Sequence, residues 1–255
     1  MKISIVVPIY NEEKNLKELH SEIFAVCQKN NYDVEIIFIN DGSTDNSLAV
    51  MKTLGQIKII NLRKNFGQTA AMSAGLEMAQ GEIIITMDGD LQNNPADIPL
   101  LLVELDKGFD VVSGWRKERH DPLKKRVLSK LANLLRLVLI NDGINDSGCT
   151  LKAYKQECFE EVELYSEMHR FIPALLKMRG FKISEVIVNH RPRLHGESKY
   201  GWDRLIKGIL DMLSVWFWKK YSGRPLHLFG AIGLFLSGIS FLGGVYAGYQ
   251  KFFLQ

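Results

Sequence analysis

The stretch Glu82-Ile83-Ile84-Ile85-Thr86-Met87-Asp88-Gly89-Asp90 runs from an unbroken apolar strand directly into two carboxylates. A strand that is apolar on both faces belongs inside a sheet covered on both sides. Alternation puts Asp88 and Asp90 on roughly the same side, and Gly89 between them lets a ligand approach the backbone. With the neutral oxygen of Gln92 two residues on, this is a hard-oxygen set that suits Mg2+ or Mn2+. Taken alone, the pair reads equally well as a solvated turn rich in Asp and Asn. Its companions decide.

Outward from this strand, the same pattern repeats. Apolar β-branched runs at Ile3–Val7, Val34–Ile39, Ile57–Leu62 and Phe109–Ser113 alternate with helix-length amphipathic stretches at Glu12–Gln28, Thr44–Leu54, Thr69–Ala79 and Pro95–Lys107. This is the pattern of an α/β domain with a mostly parallel sheet, whose ligands lie at the C-terminal ends of the strands. The unusual polar clusters fall there: Tyr10-Asn11-Glu12, Asp41-Gly42-Ser43 and Asp88-Gly89-Asp90. Neither G-x-G-x-x-G nor G-x-x-x-x-G-K-[ST] occurs, which removes the main signatures of dinucleotide oxidoreductases and P-loop NTPases. A basic, helix-like stretch at Pro122–Leu139 and a polar turn at Asn141–Gly148 follow, and then a mixed region runs to about Asn189.

Composition sets the outer limits. The 255 residues carry 24% charged and 46% hydrophobic side chains, which excludes a disordered or fibrous chain. A net charge of only +3 gives no bulk polyanion-binding surface, so no nucleic acid is expected as a partner. Cys27, Cys149 and Cys158 have no metal-like spacing and suit a reducing compartment. The first apolar run is stopped at once by Pro8, Asn11 and Glu12, so it is no signal peptide and the domain is expected in the cytoplasm.

The C-terminal third is different. Asp203–Lys220 is amphipathic and ends in Trp216-Phe217-Trp218-Lys219-Lys220. Leu226–Tyr249 then contains no Asp, Glu, Lys or Arg, and at about 1.5 Å per residue it can cross a ~30 Å hydrocarbon core. Aromatic and basic residues before it match an interfacial belt and a cytoplasmic N-terminal flank. Ser240, Gly244 and Gly248 form a small-residue stripe that another membrane helix could approach. The expected division is residues 1–202 as the α/β domain, 203–225 as an interfacial amphipathic region and 226–249 as a transmembrane helix. Whether further spans follow Gln255 is open.

The ordered set Pro8-Ile9-Tyr10-Asn11-Glu12, Asp41-Gly42-Ser43-Thr44-Asp45, Asn65-Phe66-Gly67-Gln68 and Asp88-x-Asp90 resembles the nucleotide-sugar domain of inverting family-2 glycosyltransferases, which have the GT-A fold. Ser113-Gly114-Trp115-Arg116, Arg126, Asn133, Ser147–Tyr154, His195–Tyr200 and Gly223-Arg224-Pro225-Leu226 extend the resemblance to the polyprenyl-phosphate branch. That branch includes dolichol-phosphate mannose synthases, bactoprenol glucosyltransferases and undecaprenyl-phosphate aminoarabinose transferases.

The resemblance implies roles position by position. Pro8, Tyr10, Glu12 and Asp41 would hold the base and ribose. Asp88, Asp90 and Gln92 would organise Mg2+ or Mn2+ and the donor diphosphate, with Asp90 as the central catalytic carboxylate. Arg116 and Arg126, with Arg193, His195, Ser198 and Lys199, would form the cationic surface for phosphate; Arg126 also counts with the catalytic set. His195 reads alternatively as a loop histidine. Lys152 stands where the branch commonly has arginine; it keeps the charge but loses the bidentate fork, which weakens a donor-phosphate role. Asp146 reads equally as a catalytic base or as a turn residue.

The expected reaction moves one hexosyl or pentosyl unit from a nucleotide-sugar donor to undecaprenyl or dolichyl phosphate, at the cytoplasmic face of the cell membrane. UDP is preferred to GDP from the resemblance to bacterial members, and a homo-oligomer is compatible. A polysaccharide synthase acting on a sugar hydroxyl is disfavoured by the missing Gln-x-x-Arg-Trp-type signature. A non-catalytic membrane scaffold is disfavoured by retention of both Asp88 and Asp90.

Overall fold

The computed structural model describes residues 2–117, 136–137, 139–140, 143–160, 168–192 and 202–253. The first half alternates as expected: β1 (Lys2–Ile9), α1 (Leu16–Lys29), β2 (Asp33–Asn40), α2 (Ser47–Met51), β3 (Ile57–Asn61), α3 (Gln68–Met78) and β4 (Ile83–Thr86). A 3₁₀ turn at Pro95–Asp97 leads into α4 (Ile98–Leu105) and β5 (Val111–Trp115). β6 (Lys152–Lys155), α5 (Ile172–Met178) and β7 (Ile183–Ile187) follow. Among the described residues the strands form one sheet in the order β3-β2-β1-β4-β6-β5-β7. All pairs are parallel except those of β6, which runs antiparallel to β4 and to β5. The fold is GT-A-like.

Strand periodicity explains the two-sided cover. On β1, Ile3, Ile5, Val7 and Ile9 join Leu16, Leu19 and Ile23 of α1 and Leu101 and Leu105 of α4 in one buried cluster. Val6 points to the other face and packs with Met72 and Leu76 of α3 and Ile172 and Leu176 of α5. Two faces need two helix layers.

Two boundaries differ from the sequence pattern for a physical reason. α1 starts at Leu16 rather than Glu12, and α2 starts at Ser47 rather than Thr44. Both intervening segments are held by side-chain hydrogen bonds to one another, described below, which compete with helix formation. The expected basic helix at Pro122–Leu139 lies largely outside the described residues.

The chain divides into two compact units, Met1–Met212 and Leu213–Gln255. α6 (Trp202–Tyr221) crosses the division, and α7 (Pro225–Phe253) lies in the second unit. Within that unit Lys220 sits over the rings of Trp216 and Tyr221, at 5.8 and 5.4 Å, and Phe217 meets Phe229 at 5.8 Å. Pro225–Lys251 has a mean hydropathy of 1.9 and is not buried anywhere in its apolar window. Length and composition make α7 a helix that could span a membrane.

Candidate active site

Strand direction builds the site. β1 to β5 all leave the sheet at one edge, and antiparallel β6 enters there, with Thr86, Lys152 and Ser113 in register across it. Tyr10, Asp41, Asp88, Arg116 and Lys152, which lie far apart in sequence, are thus brought to the same edge.

Two loops at this edge are laced together. Ser43 Oγ accepts from Asn11 N (3.0 Å), Asn11 Oδ1 accepts from Thr44 N (2.8 Å), and Ser47 Oγ accepts from Glu12 N (2.9 Å). Glu13 N donates to Asp45 (3.2 Å), and Asn46 N donates back to Glu13 (2.9 Å). Asn11 holds a φ of 58°, a left-handed conformation that Asn tolerates better than most residues. Asn15 Nδ2 donates to Glu12 Oε2 at 2.6 Å and so aims that carboxylate. Pro8, Tyr10 and Glu12 are half-buried beside these ties.

Asp41 is only 3% exposed, and its two oxygens accept the backbone N–H groups of Phe66 (2.7 Å) and Gly67 (3.0 Å). The structure therefore places it in the wall of the site, where it shapes the turn that precedes α3. Gly42 is required beside it: its φ is +64°, and a Cβ there would lie 2.3 Å from the Lys64 carbonyl carbon.

Asp88 and Asp90 follow β4 closely enough for the Asp90 charge to act on Asp88. Gln68 Nε2 donates to Asp88 Oδ1 at 2.7 Å, and Gln92 N donates to Asp90 Oδ1 at 3.1 Å. Asn93 Oδ1 anchors the turn by accepting from Asp88 N (3.0 Å) and Thr150 Oγ1 (2.9 Å), while Leu91 takes a φ of 62°. Burial and the neighbouring Asp90 charge push the Asp88 carboxyl above its usual range, against the opposing pull of Thr150, Arg116 and Lys152. A buried Asp90 beside a half-buried Asp88 is a hard-oxygen set that fits a divalent cation. Among the described residues no third His, Cys, Asp or Glu joins them, so phosphate oxygens of a substrate would complete such a shell.

One expectation around this turn changes. Gly89 is not open to a ligand: a Cβ there would meet Ile9 Cδ1 at 2.4 Å, so the glycine makes room for the end of β1. Gln92 is tied to the segment after β7, where its carbonyl accepts Arg191 N (3.0 Å) and its Nε2 donates to Arg191 O (3.4 Å).

The cationic side is built from Arg116 and Lys152. Arg116 Nε and Nη2 donate to Asp146 at 2.7 and 2.9 Å, and Arg116 N adds a third bond at 3.2 Å. Burial opposes the Arg116 charge, but the Asp146 carboxylate outweighs it and holds the guanidinium above its ordinary value. Asp146 is in turn fixed by its own N–H, which donates to Glu185 at 3.1 Å. Lys152 is 2% exposed, and its ammonium donates to the carbonyls of Ser147 and Cys149. Burial lowers its pKa, and the nearby Asp146 and Asp88 charges help it stay protonated. Burial pushes the Cys149 thiol beside it up to about 11, so it is no nucleophile.

Arg126, Arg193, His195, Ser198 and Lys199 lie outside the described residues. Sequence reasoning singled out neither Gln68 nor Asn93 as a site residue. The only signal for them was position: Gln68 closes the quoted Asn65-Phe66-Gly67-Gln68 motif, and Asn93 directly follows Gln92.

The sequence profile of Glycosyl transferase family 2 matches residues 4–163. Dodecaprenyl-phosphate galacturonate synthase of Rhizobium johnstonii is 42% identical over 263 residues, covering 100% of this chain and 78% of that protein. Undecaprenyl-phosphate 4-deoxy-4-formamido-L-arabinose transferase of Pseudomonas fluorescens is 36% identical over 245 residues, covering 94% and 71%. Among solved structures, glucosyl-3-phosphoglycerate synthase of Mycobacterium tuberculosis with Mn2+, UDP and glucosyl-3-phosphoglycerate superposes with a TM-score of 0.68 at 18% identity, covering 86% of this chain and 79% of that one. These matches show that the chain belongs to glycosyl transferase family 2 and is a glycosyltransferase of the GT-A fold.

Proposed function

We propose that the protein transfers one sugar from a nucleotide-diphosphate sugar, a UDP-sugar by preference, to polyprenyl phosphate, with inversion, at the cytoplasmic face of a membrane. The observation that carries this reading is the Asp88–Asp90 pair set beside the basic side chains Arg116 and Lys152 at one sheet edge. The names of both curated relatives, a dodecaprenyl-phosphate and an undecaprenyl-phosphate enzyme, support the acceptor class. The apolar helix α7 supports a lipid-borne acceptor, since it can hold the chain at the bilayer where that acceptor resides.

In the proposed reaction an acceptor phosphate oxygen forms a bond to the anomeric carbon while the bond from that carbon to the diphosphate oxygen breaks. A phosphate monoester has a second pKa near about 6, so at neutral pH it is mostly the dianion and needs no base. Asp146 fits that account, because its carboxylate is engaged by the Arg116 fork rather than presented as a proton acceptor. Arg116, held by Asp146, and the buried Lys152 are assigned to the departing diphosphate, and Arg126, Arg193, His195, Ser198 and Lys199 to the acceptor phosphate. Pro8, Tyr10, Glu12 and Asp41 shape the nucleoside site. Asp88, Asp90 and Gln92 would hold Mg2+ or Mn2+, which neutralises leaving-group charge when bound. Solved proteins of this fold contain Mn2+ with UDP or UDP-glucose, which supports the choice of ion.

The test is direct. Membranes carrying the protein are incubated with a panel of labelled nucleotide sugars and polyprenyl phosphate, and the lipid is extracted. Label in an acid-labile lipid product supports the proposal. Label only in material with a sugar hydroxyl acceptor, with the lipid fraction blank, overturns it.

A further inference from the structure

Thr69 and His169 form a buried polar contact that the chemistry above does not use. They are 4% and 3% exposed, and Thr69 Oγ1 lies 2.7 Å from His169 Nδ1 across a separation of a hundred residues. Arg170 Nε lies 3.4 Å from the ring's other nitrogen. A guanidinium N–H can only donate, so Nε2 accepts and the proton of the neutral ring sits on Nδ1, which donates to the threonine hydroxyl. Burying two polar groups is unfavourable unless they are paired, and an apolar pair of similar shape would serve packing alone.

The place of this contact gives it a use. α3 begins at Gln68, its N-cap is Gly67 with φ 94°, and no side chain caps it. Its first turn is therefore held by tertiary ties. Asp41 holds Gly67 N on one side at 3.0 Å, and His169 holds Thr69 on the other. Between them stands Gln68, whose amide donates to Asp88 Oδ1 at 2.7 Å. The His169 segment, Met168–Phe171, leads directly into α5, which packs on the same sheet face as α3. A shift of this turn by an ångström would withdraw the amide from the carboxylate.

We propose that His169 is a positioning residue for Asp88, acting through Thr69 and Gln68 to fix the carboxylate that holds the divalent cation. This rests on the cation-binding reading of Asp88 and Asp90.

The experiment measures calorimetric affinity of the full-length protein in nanodiscs for UDP with and without Mn2+, together with Tm. Partners one shell out from a metal typically change its affinity by about 10–100-fold, and Gln68→Ala is expected at about 10-fold. Thr69→Val, isosteric but without the hydroxyl, and His169→Ala are one link further and should each weaken Mn2+-dependent UDP binding by about 3–10-fold. Metal-free UDP affinity should stay unchanged. His169→Asn, whose amide can replace Nδ1, should recover most of the loss, and Thr69→Val with His169→Ala should be no worse than either alone. Equal loss with and without Mn2+, or no loss in Thr69→Val, overturns the proposal. Asp90→Asn separates the two levels: if it retains full Mn2+-dependent affinity, the cation reading itself fails. If it loses that affinity while Thr69→Val and His169→Ala do not, only the role of His169 is lost.

Discussion

Asp90 and Asp146 are both acidic residues at the sheet edge, yet the structure gives them opposite consequences on neutralisation. On the proposed reaction, Asp90→Asn is expected to reduce turnover by about 10²–10³-fold, the cost of losing one electrostatic element where charge develops. A variant that turns over like wild type with divalent ions chelated would remove Asp90 from the chemistry. Asp146→Asn instead strips the fork from Arg116, whose side chain is 12% exposed against 10% for Asp146. Breaking a buried ion pair by removing one partner is destabilising by about 3–5 kcal/mol. The expected outcome is a clear drop in Tm, with the folded fraction retaining appreciably more activity than Asp90→Asn between about pH 6 and 8, as a dianionic acceptor requires. Activity as low as that of Asp90→Asn in a fully folded sample would make Asp146 a base or an acceptor-positioning group. The carboxylate pair was legible from Asp88-x-Asp90 only together with its companion motifs at the ends of the other strands, since alone it reads equally as a solvated turn. The Arg116–Asp146 fork was not, since its members are thirty positions apart and only the β5 edge and the Glu185-anchored turn bring them together.

At the opposite end of the sheet, Glu35 on β2 ties four pieces of chain together. It accepts from Ser4 of β1 (2.5 Å), from Gln80 N before β4 (2.6 Å) and from Lys58 of β3 (2.6 Å). Burial raises its pKa, but these donors outweigh burial and bring it down from 4.5 to about 2. A depressed carboxylate stabilises the fold above its unfolded pKa and loses that contribution as pH falls through the folded value. Acid unfolding followed from pH 5 to 2 should therefore be shallower in Glu35→Gln than in wild type, and parallel curves would show that the tie carries no linkage. Element identity in the first half was legible because apolar runs and amphipathic stretches alternate cleanly. The ends of α1 and α2 were not, because Glu12–Glu13 and Thr44–Asn46 satisfy each other's backbone instead of continuing a helix. β6 escaped notice for another reason: Lys152-Ala153-Tyr154-Lys155 has charge at both ends and no β-branched residue, and neighbouring strands on both sides override that weak propensity.

For the whole molecule, the abrupt loss of charge at α7 was readable from composition alone, and it sets an experiment on the intact chain. Removing residues 225–255 should leave a domain that binds UDP with Mn2+ yet no longer floats with vesicles and transfers poorly to long-chain polyprenyl phosphate. Undiminished activity on a native-length acceptor in vesicles would count against α7 as an anchor. The insertion of β6 between β4 and β5 has a different consequence, one that concerns the order in which the protein is made. β1 to β4 are neighbours in space and complete once Thr86 has left the ribosome, so this half can condense early. The flank of β4 that will carry β6, along Ile83–Thr86, then waits for Lys152–Lys155 to be synthesised. For those ~65 residues of synthesis a short run of three isoleucines has no partner on that side, and an unpaired apolar edge invites association with other chains. A nascent chain paused within this interval should be markedly more prone to aggregate and to recruit chaperones than one paused after Lys155. The strand that covers the flank of β4 leading to Asp88 should thus also end this exposed stage of biosynthesis.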